Sequence, residues 1–259
     1  MTQLLISVKN VEETLVALNA SVDIIDLKDP ANGALGALDL AISAQIVAKT
    51  QQYNQLNKIN NPNFLPILIS ATVGEQHTDL NDLMKSVMQR LAINVDIIKI
   101  AVSSLETIPN WQTNFDMQAI TAAKANTKLV AVFFADQEIN LTLLETLKKL
   151  GFYGAMLDTS SKQHDLLTIC STQTLQTFTQ RCKKNALKSG LAGSLKPQHI
   201  ESLSEINPFY IGFRGGVCES DARSNALKMH KVVKVKNLLQ KHNKLNSLAR
   251  QSSRLALIS

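Results

Sequence analysis

The sequence predicts an α/β protein, a TIM (β/α)₈ barrel, on three observations. Eight short apolar runs recur along the chain, at 4–8, 23–28, 66–74, 96–102, 128–135, 154–161, 189–195 and 210–216. Helical patterns lie between them, and strands alternating with helices mark a parallel sheet. The length of 259 residues suits eight such units in one closed barrel. Most runs lack polar alternation, as strands covered on both faces should. An open doubly wound sheet is the other architecture this pattern allows, and the count and the length favour closure.

The first run, LLISV, is followed by Asn10 and Glu13, spaced as a capping box ahead of Leu15 and Leu18. The second opens the stretch DIIDLKDPANGALGA at 23–37. Ile24, Ile25 and Leu27 are apolar, while Asp26 and Lys28 stand two apart and so point the same way. Asp29-Pro30 stops the strand. A carboxylate and an amine at the end of a buried strand are expensive to desolvate. A structural ion pair and an active site account for this stretch equally well.

The polar stretch 51–63 reads as a helix end plus a loop. Leu80, Leu83, Met84, Val87, Met88 and Leu91 form a helical stripe. Leu143, Leu144, Leu147 and Leu150 form another, ended by Gly151 as a C-cap. Leu175, Phe178 and Cys182 place a helix before the seventh run, and Pro197 opens one ahead of Ile200 and Leu203. The last helix runs from about Ser224 through Val232, Val233 and Leu239. Residues 1–241 read as a single barrel and 242–259 as a basic C-terminal extension.

The net charge of +6 describes the tail, not the body. Nine lysines and arginines follow Asp221 and no acid does, which leaves −3 for residues 1–221. Leu245, Leu248, Leu255, Leu257 and Ile258 lie among those basic residues. They read either as an amphipathic segment packing on a second copy of the chain, giving a homo-oligomer, or as a frayed terminus. No apolar run approaches a membrane span and no signal-like segment opens the chain, so a cytoplasmic protein without a membrane partner is expected. Cys170, Cys182 and Cys218 are scattered and read as reduced thiols. The five histidines show no metal-ligand spacing, and no nucleophile elbow, Walker loop or dinucleotide fingerprint appears. Neither a metal nor a nicotinamide or nucleotide cofactor is expected.

In such a barrel the active site sits at the C-terminal ends of the strands. Those ends carry Asp26 and Lys28, Ser70 and Thr72, Lys99, and Asp158 followed by Thr159, Ser160, Ser161 and Lys162. Lys99 lies among Ile97, Ile98 and Ile100. It either snorkels to the barrel mouth or sits buried, where its neutral amine becomes accessible. The loops after strands seven and eight hold Gly193-Ser194 and Gly215-Gly216, with Arg214 beside the second. Small residues there leave backbone N–H groups exposed for a phosphate, although ordinary turns carry glycine too. Lysines beside carboxylates, without a metal cluster, favour imine chemistry on an aldehyde or ketone phosphate.

The pieces DIIDLKDPANGALGA, SATVGE, IIKIAV, GAMLDTSSK, GLAGSLKPQHI and IGFRGGVC, taken jointly from Leu4 to about Arg223, resemble one family. It is the (5-formylfuran-3-yl)methyl phosphate synthases, which build the furan of methanofuran, a one-carbon carrier. The resemblance implies a TIM barrel that joins two glyceraldehyde 3-phosphates into a furan phosphate with loss of one phosphate and water. By motif, Lys28 stands where the family has its Schiff-base lysine and Lys99 where it has its proton acceptor. Asp26, Asp158 and Lys162 match the supporting acid–base set. The chain departs from the pattern at Asp29, where the family has asparagine, and at Glu75, where it has aspartate. The segment 219–223 matches loosely, and the tail beyond about Lys241 lies outside the resemblance. These departures bear on substrate detail more than on reaction class.

A class I aldolase or lyase acting on another sugar phosphate would share the imine and differ in product. A nucleic-acid-binding barrel using the basic tail is the non-enzyme alternative. The mildly acidic body and the lack of clustered aromatics weigh against it; the partner that the resemblance implies is a small triose phosphate.

Overall fold

A computed structural model describes residues 1–255, with side chains as far as residue 248. Its eight strands form a closed barrel in which each strand pairs with the next and β1 closes on β8. They are β1 Gln3–Val8, β2 Ile24–Leu27, β3 Leu68–Thr72, β4 Ile97–Ala101, β5 Lys128–Phe134, β6 Gly154–Asp158, β7 Lys188–Leu191 and β8 Tyr210–Phe213. All pairings are parallel. The helices are α1 Val11–Asn19, α2 Leu40–Asn60, α3 Leu80–Ala92, α4 Val102–Glu106, α5 Trp111–Asn114, α6 Met117–Ala123, α7 Leu143–Lys149, α8 Leu166–Ile169, α9 Thr172–Lys184, α10 Ile200–Ile206 and α11 Met229–Leu255.

Alternation along each strand separates two apolar layers. Ile6, Val8, Ile25, Leu27, Ile98, Ile100 and Leu157 face outward into the core shared with the helices. Leu5, Ile24, Ile97, Val130, Met156 and Tyr210 face inward as a separate cluster that fills the barrel floor. On the inward parity, the positions above this floor are Ser7, Asp26, Lys28, Ser70, Lys99 and Asp158. The strand ends that carry chemistry are therefore the tops of columns whose bases are apolar.

Two aspartates at strand starts fasten the opposite end. Asp23 accepts from the Leu4 amide (2.7 Å) and from Lys236 Nζ (2.9 Å) on α11. Asp96 repeats the arrangement with the Ile69 amide (3.0 Å) and with Lys124 (3.2 Å). Each joins two strands and an outer segment at a rim where sheet hydrogen bonding is ending.

Local signals explain most helix boundaries. The Asn10 side chain accepts from the Glu13 amide (2.9 Å). The reciprocal half of the expected box is replaced, because the Glu13 carboxylate accepts from Lys9 N (2.9 Å) and pairs with Arg214. Gly151, at φ +88°, ends the turn after α7 as expected of a left-handed cap. The stretch 51–63 is helical through Asn60. Between β4 and β5 the connection breaks into α4, α5 and α6, because Pro109 lacks an N–H and Asn110 is left-handed (φ 55°).

The last helix starts at Met229, not near Ser224. Arg214 and Lys9 take the carbonyls of Arg223, Ser224 and Asn225 as acceptors, and a Cys218–Leu227 bridge holds the segment non-helical. Helix α11 continues without interruption past residue 241. Leu245 and Leu248 on it are 51% and 59% exposed. The side chain of Leu255, and residues Leu257 and Ile258, lie outside what the structure describes. No helix among the described residues is long and apolar enough to cross a membrane.

The floor depends on Gly190, since a Cβ there would overlap the Tyr210 ring. That ring is almost wholly buried among the inward cluster. Gly190→Ala is expected to destabilise the fold by about 1–3 kcal/mol through overpacking. The denaturant midpoint measures it; an unchanged midpoint would mean that the floor repacks freely.

Candidate active site

Two charged clusters occupy the C-terminal mouth. In the first, Asp26 is the hub. Its Oδ2 accepts from Ser7 Oγ (2.8 Å), and its Oδ1 accepts from Ser70 Oγ (2.7 Å). Lys99 Nζ lies 2.6 Å from the same Oδ1. The register explains the meeting, because Ser7 pairs with Asp26, Asp26 with Ser70, and Thr72 with Lys99 on adjacent strands. In the second cluster Asp158 is the hub. Lys162 Nζ is 2.9 Å from its Oδ1 and Lys28 Nζ is 3.4 Å from its Oδ2. The Thr159 amide donates to Oδ1 at 2.7 Å. Exposures of 0% for Asp26, 2% for Lys99, 4% for Asp158 and 7% for Lys28 put all four charges out of bulk water.

That burial sets the protonation of the site. It lowers the Lys99 pKa below the ordinary lysine value; the anion of Asp26 opposes the shift and the cation of Lys28 adds to it. Burial likewise lowers Lys162 against the pull of Asp158. Burial alone would raise Asp158, but Lys28, Lys162 and the Thr159 amide together hold it well below the usual carboxylate range. The mouth thus keeps a firm carboxylate beside amines that give up their protons more readily than free lysine does.

Asp136, two residues beyond β5, holds the turn that carries Lys162. Its carboxylate accepts from Ser160 N (2.8 Å), Ser160 Oγ (2.9 Å) and Ser161 N (2.6 Å). Burial opposes these bonds, and they prevail in lowering the Asp136 pKa. Lys162 also reaches the Thr159 carbonyl. The loop after β2 is pinned as firmly, by Thr72 Oγ1 on Gly36 O (2.9 Å) and by Glu75 Oε1 on the Leu35 amide (2.5 Å). Asp29 turns into this loop, accepting from Ala31 N (2.9 Å) and Asn32 Nδ2 (2.8 Å). It is not among the residues that line the cavity.

One cavity of ≈ 480 Å³ is lined by Asp26, Lys28, Lys99, Asp158, Lys162, Gly193, Ser194, Arg214, Gly215 and Gly216, whereas Ser70, Thr72, Thr159, Ser160 and Ser161, also at the strand ends, do not line it. Gly216 packs so closely on the Leu195 carbonyl that a Cβ would not fit, which brings the β7 and β8 loops into contact. Among the described residues no acceptor takes the N–H groups of Gly193, Ser194, Gly215 or Gly216. Ser194 has φ 49°, a left-handed conformation that turns its amide out of the strand pattern.

Arg214 is differently employed. Its Nε donates to Arg223 O (2.8 Å), Nη1 to Ser7 O (3.1 Å) and Glu13 Oε2, and Nη2 to Glu13 Oε1 (3.1 Å) and Asn225 O (3.2 Å). These acceptors take all five guanidinium protons, so the side chain braces the cavity wall.

Lys196 and Arg223 also line the cavity and were not apparent from sequence, as they lie in loops without periodicity. Ser7 lines it too, and a hydroxyl on the inward parity of an apolar strand is the sequence signal that marks it.

Asp26 raises the Lys99 pKa, so Asp26→Asn should lower it further by removing the anion. Titration of carbon-13-labelled lysine Cε by NMR reads this directly. A Lys99 pKa that rises in the variant would contradict the electrostatic assignment.

Comparison with known proteins identifies the family. The family model described as 4-HFC-P synthase matches residues 4–236. A Methylorubrum extorquens protein, provisionally named (5-formylfuran-3-yl)methyl phosphate synthase, is 34% identical over 226 residues, covering 87% of this chain and 86% of its own. The Archaeoglobus fulgidus (5-formylfuran-3-yl)methyl phosphate synthase is 28% identical over 244 residues, covering 90% of this chain and 97% of its own. Among solved structures, 3-hexulose-6-phosphate synthase from Salmonella typhimurium superposes with a TM-score of 0.59 at 13% identity, over 93% of this chain and 100% of that one. That likeness shows the barrel alone. With the family model spanning nearly the whole barrel, the chain belongs to the 4-HFC-P synthase family.

Proposed function

We propose that the protein condenses two molecules of glyceraldehyde 3-phosphate into (5-formylfuran-3-yl)methyl phosphate through an imine on Lys28. By atom balance, one phosphate and two waters leave for each furan formed. The observation that carries the reading is the placement of three lysines and two carboxylates at one mouth beside four amides without protein acceptors.

Lys28 is the better nucleophile by contact. Its 3.4 Å approach to Asp158 is the loosest ion pair of the two clusters, whereas Lys99 is held at 2.6 Å by Asp26. Lys28 attacks the aldehyde and water departs, leaving an iminium. The positive nitrogen acidifies the adjacent C–H, and Lys99, as the free amine that burial favours, removes that proton. The resulting enamine expels phosphate or attacks the second aldehyde. Asp158 and Lys162 carry protons through dehydration and ring closure. The amides of Gly193, Ser194, Gly215 and Gly216 hold one phosphate, with Lys196 beside them supplying charge. Arg214 shapes this cradle from behind. A cytoplasmic setting suits a phosphorylated triose.

The test uses glyceraldehyde 3-phosphate as sole substrate, with the product identified by mass and ultraviolet spectrum. Wild-type protein should yield the furan phosphate. Lys28→Arg and Lys28→Ala should lose on the order of 10³-fold or more in turnover while melting as the wild type does. A sugar phosphate product without a furan would instead support an aldolase. Substantial turnover by Lys28→Arg would exclude an imine at this residue.

A further inference from the structure

The amide cradle accounts for one phosphate, and the proposed reaction brings two into the same cavity. Two phosphate dianions in a confined space repel each other strongly and require separate counter-charges. Lys28 and Lys162 are already shared with Asp158, and Lys99 with Asp26. Lys196 stands beside the cradle, its Cα 2.9 Å from where a Cβ on Gly216 would sit; the main chain of Arg223 stands beside it too, its N 3.7 Å from a Cβ on Gly215, but the Arg223 guanidinium reaches the Gly33 carbonyl. With Arg214 committed to Glu13 and to backbone carbonyls, the remaining lysine or arginine lining the cavity is Arg223.

Arg223 is prepared on both its main chain and its side chain. Its carbonyl accepts from Arg214 Nε (2.8 Å), so the arginine anchored to Glu13 fixes the segment from which Arg223 projects. Its Nη2 donates to the Gly33 carbonyl (2.6 Å), which lays the guanidinium against the loop after β2. Among the described residues, Nε and Nη1 find no acceptor and no carboxylate comes within ion-pair distance. The nearby acids are already engaged: Asp158 by two lysines, Glu75 by the Leu35 amide, and Asp29 by its own loop. Burial lowers the Arg223 pKa, with Asp158 the strongest opposing influence, which sets the guanidinium near the reacting groups.

We propose that Arg223 binds the phosphate of the second triose, at a subsite between the 31–37 loop and Lys162 and separate from the amide cradle. The subsite rests on the reading of the reaction as the union of two triose phosphates. Its ligand is a phosphate monoester dianion, for which the free edge of a guanidinium offers paired N–H donors. Held there, one triose faces the other across Lys28.

Calorimetric titration of the full chain with inorganic phosphate at low ionic strength tests the proposal. Wild-type protein should bind two phosphates and Arg223→Gln one, with the remaining site unchanged in affinity. Arg223→Lys should regain the second site about tenfold weaker than wild type, since a point charge replaces a paired donor. Two phosphates bound by Arg223→Gln, or only one by wild type, would overturn the subsite. Failure of the underlying reaction appears elsewhere, as wild-type protein that makes no furan, and the phosphate count decides the subsite in either event.

Discussion

Everything at the mouth depends on placing the amines of Lys28 and Lys99 and two carboxylates out of water, with the partly exposed Lys162 beside them. Opposite charges about 4 Å apart attract by about 4 kcal/mol at an effective dielectric of about 20, no more than the several kcal/mol that desolvating each ion costs. Ion pairing alone would therefore not secure the site, and each carboxylate has further donors. Asp26 gains two serine hydroxyls from the strands on either side, and Asp158 gains the amide of Thr159. The residual excess of positive charge is what an anionic substrate would neutralise. A cavity that favours phosphate and lysines that release protons are two consequences of one arrangement.

The barrel makes this arrangement rigid. A side chain two residues from its neighbour stays on the same face, so the apolar floor of Leu5, Ile24, Ile97 and Met156 fixes where Ser7, Asp26, Lys99 and Asp158 must stand. Gly190 and the ring of Tyr210 close the floor beneath them. Above them the loops are fastened from outside the site, by Glu75 under the β2 loop, Asp136 under the β6 loop and Glu13 through Arg214 under the β8 loop. These three acids touch no proposed reacting atom; they hold the loops that surround the cavity, and Asp136 holds the turn that carries Lys162.

Much of this was legible in the sequence because strand parity is a short-range property. Asp26, Lys28, Lys99 and Asp158 could be placed in the lumen by counting along apolar runs. Gly193, Ser194, Gly215 and Gly216 could be placed by their position after strands seven and eight. Arg214 could be located but its employment could not, since its partners Ser7 and Glu13 lie about 200 positions away in the chain. Arg223 and Lys196 were hidden for the same reason, as loop residues whose meaning comes from what they face. The false start of the last helix at Ser224 has a similar origin. Its helical pattern is real, but Arg214 and Lys9 take the carbonyls that a helix would need.

Of the three lysines at the mouth, Lys28 is the one proposed to carry the substrate. Borohydride added during turnover of glyceraldehyde 3-phosphate reduces an imine to a stable amine, and peptide mass mapping locates it. One adduct is expected, on the peptide containing Lys28, and none there in Lys28→Arg; this is the outcome an imine at Lys28 requires. An adduct on Lys99 or Lys162 in the wild-type protein would contradict it.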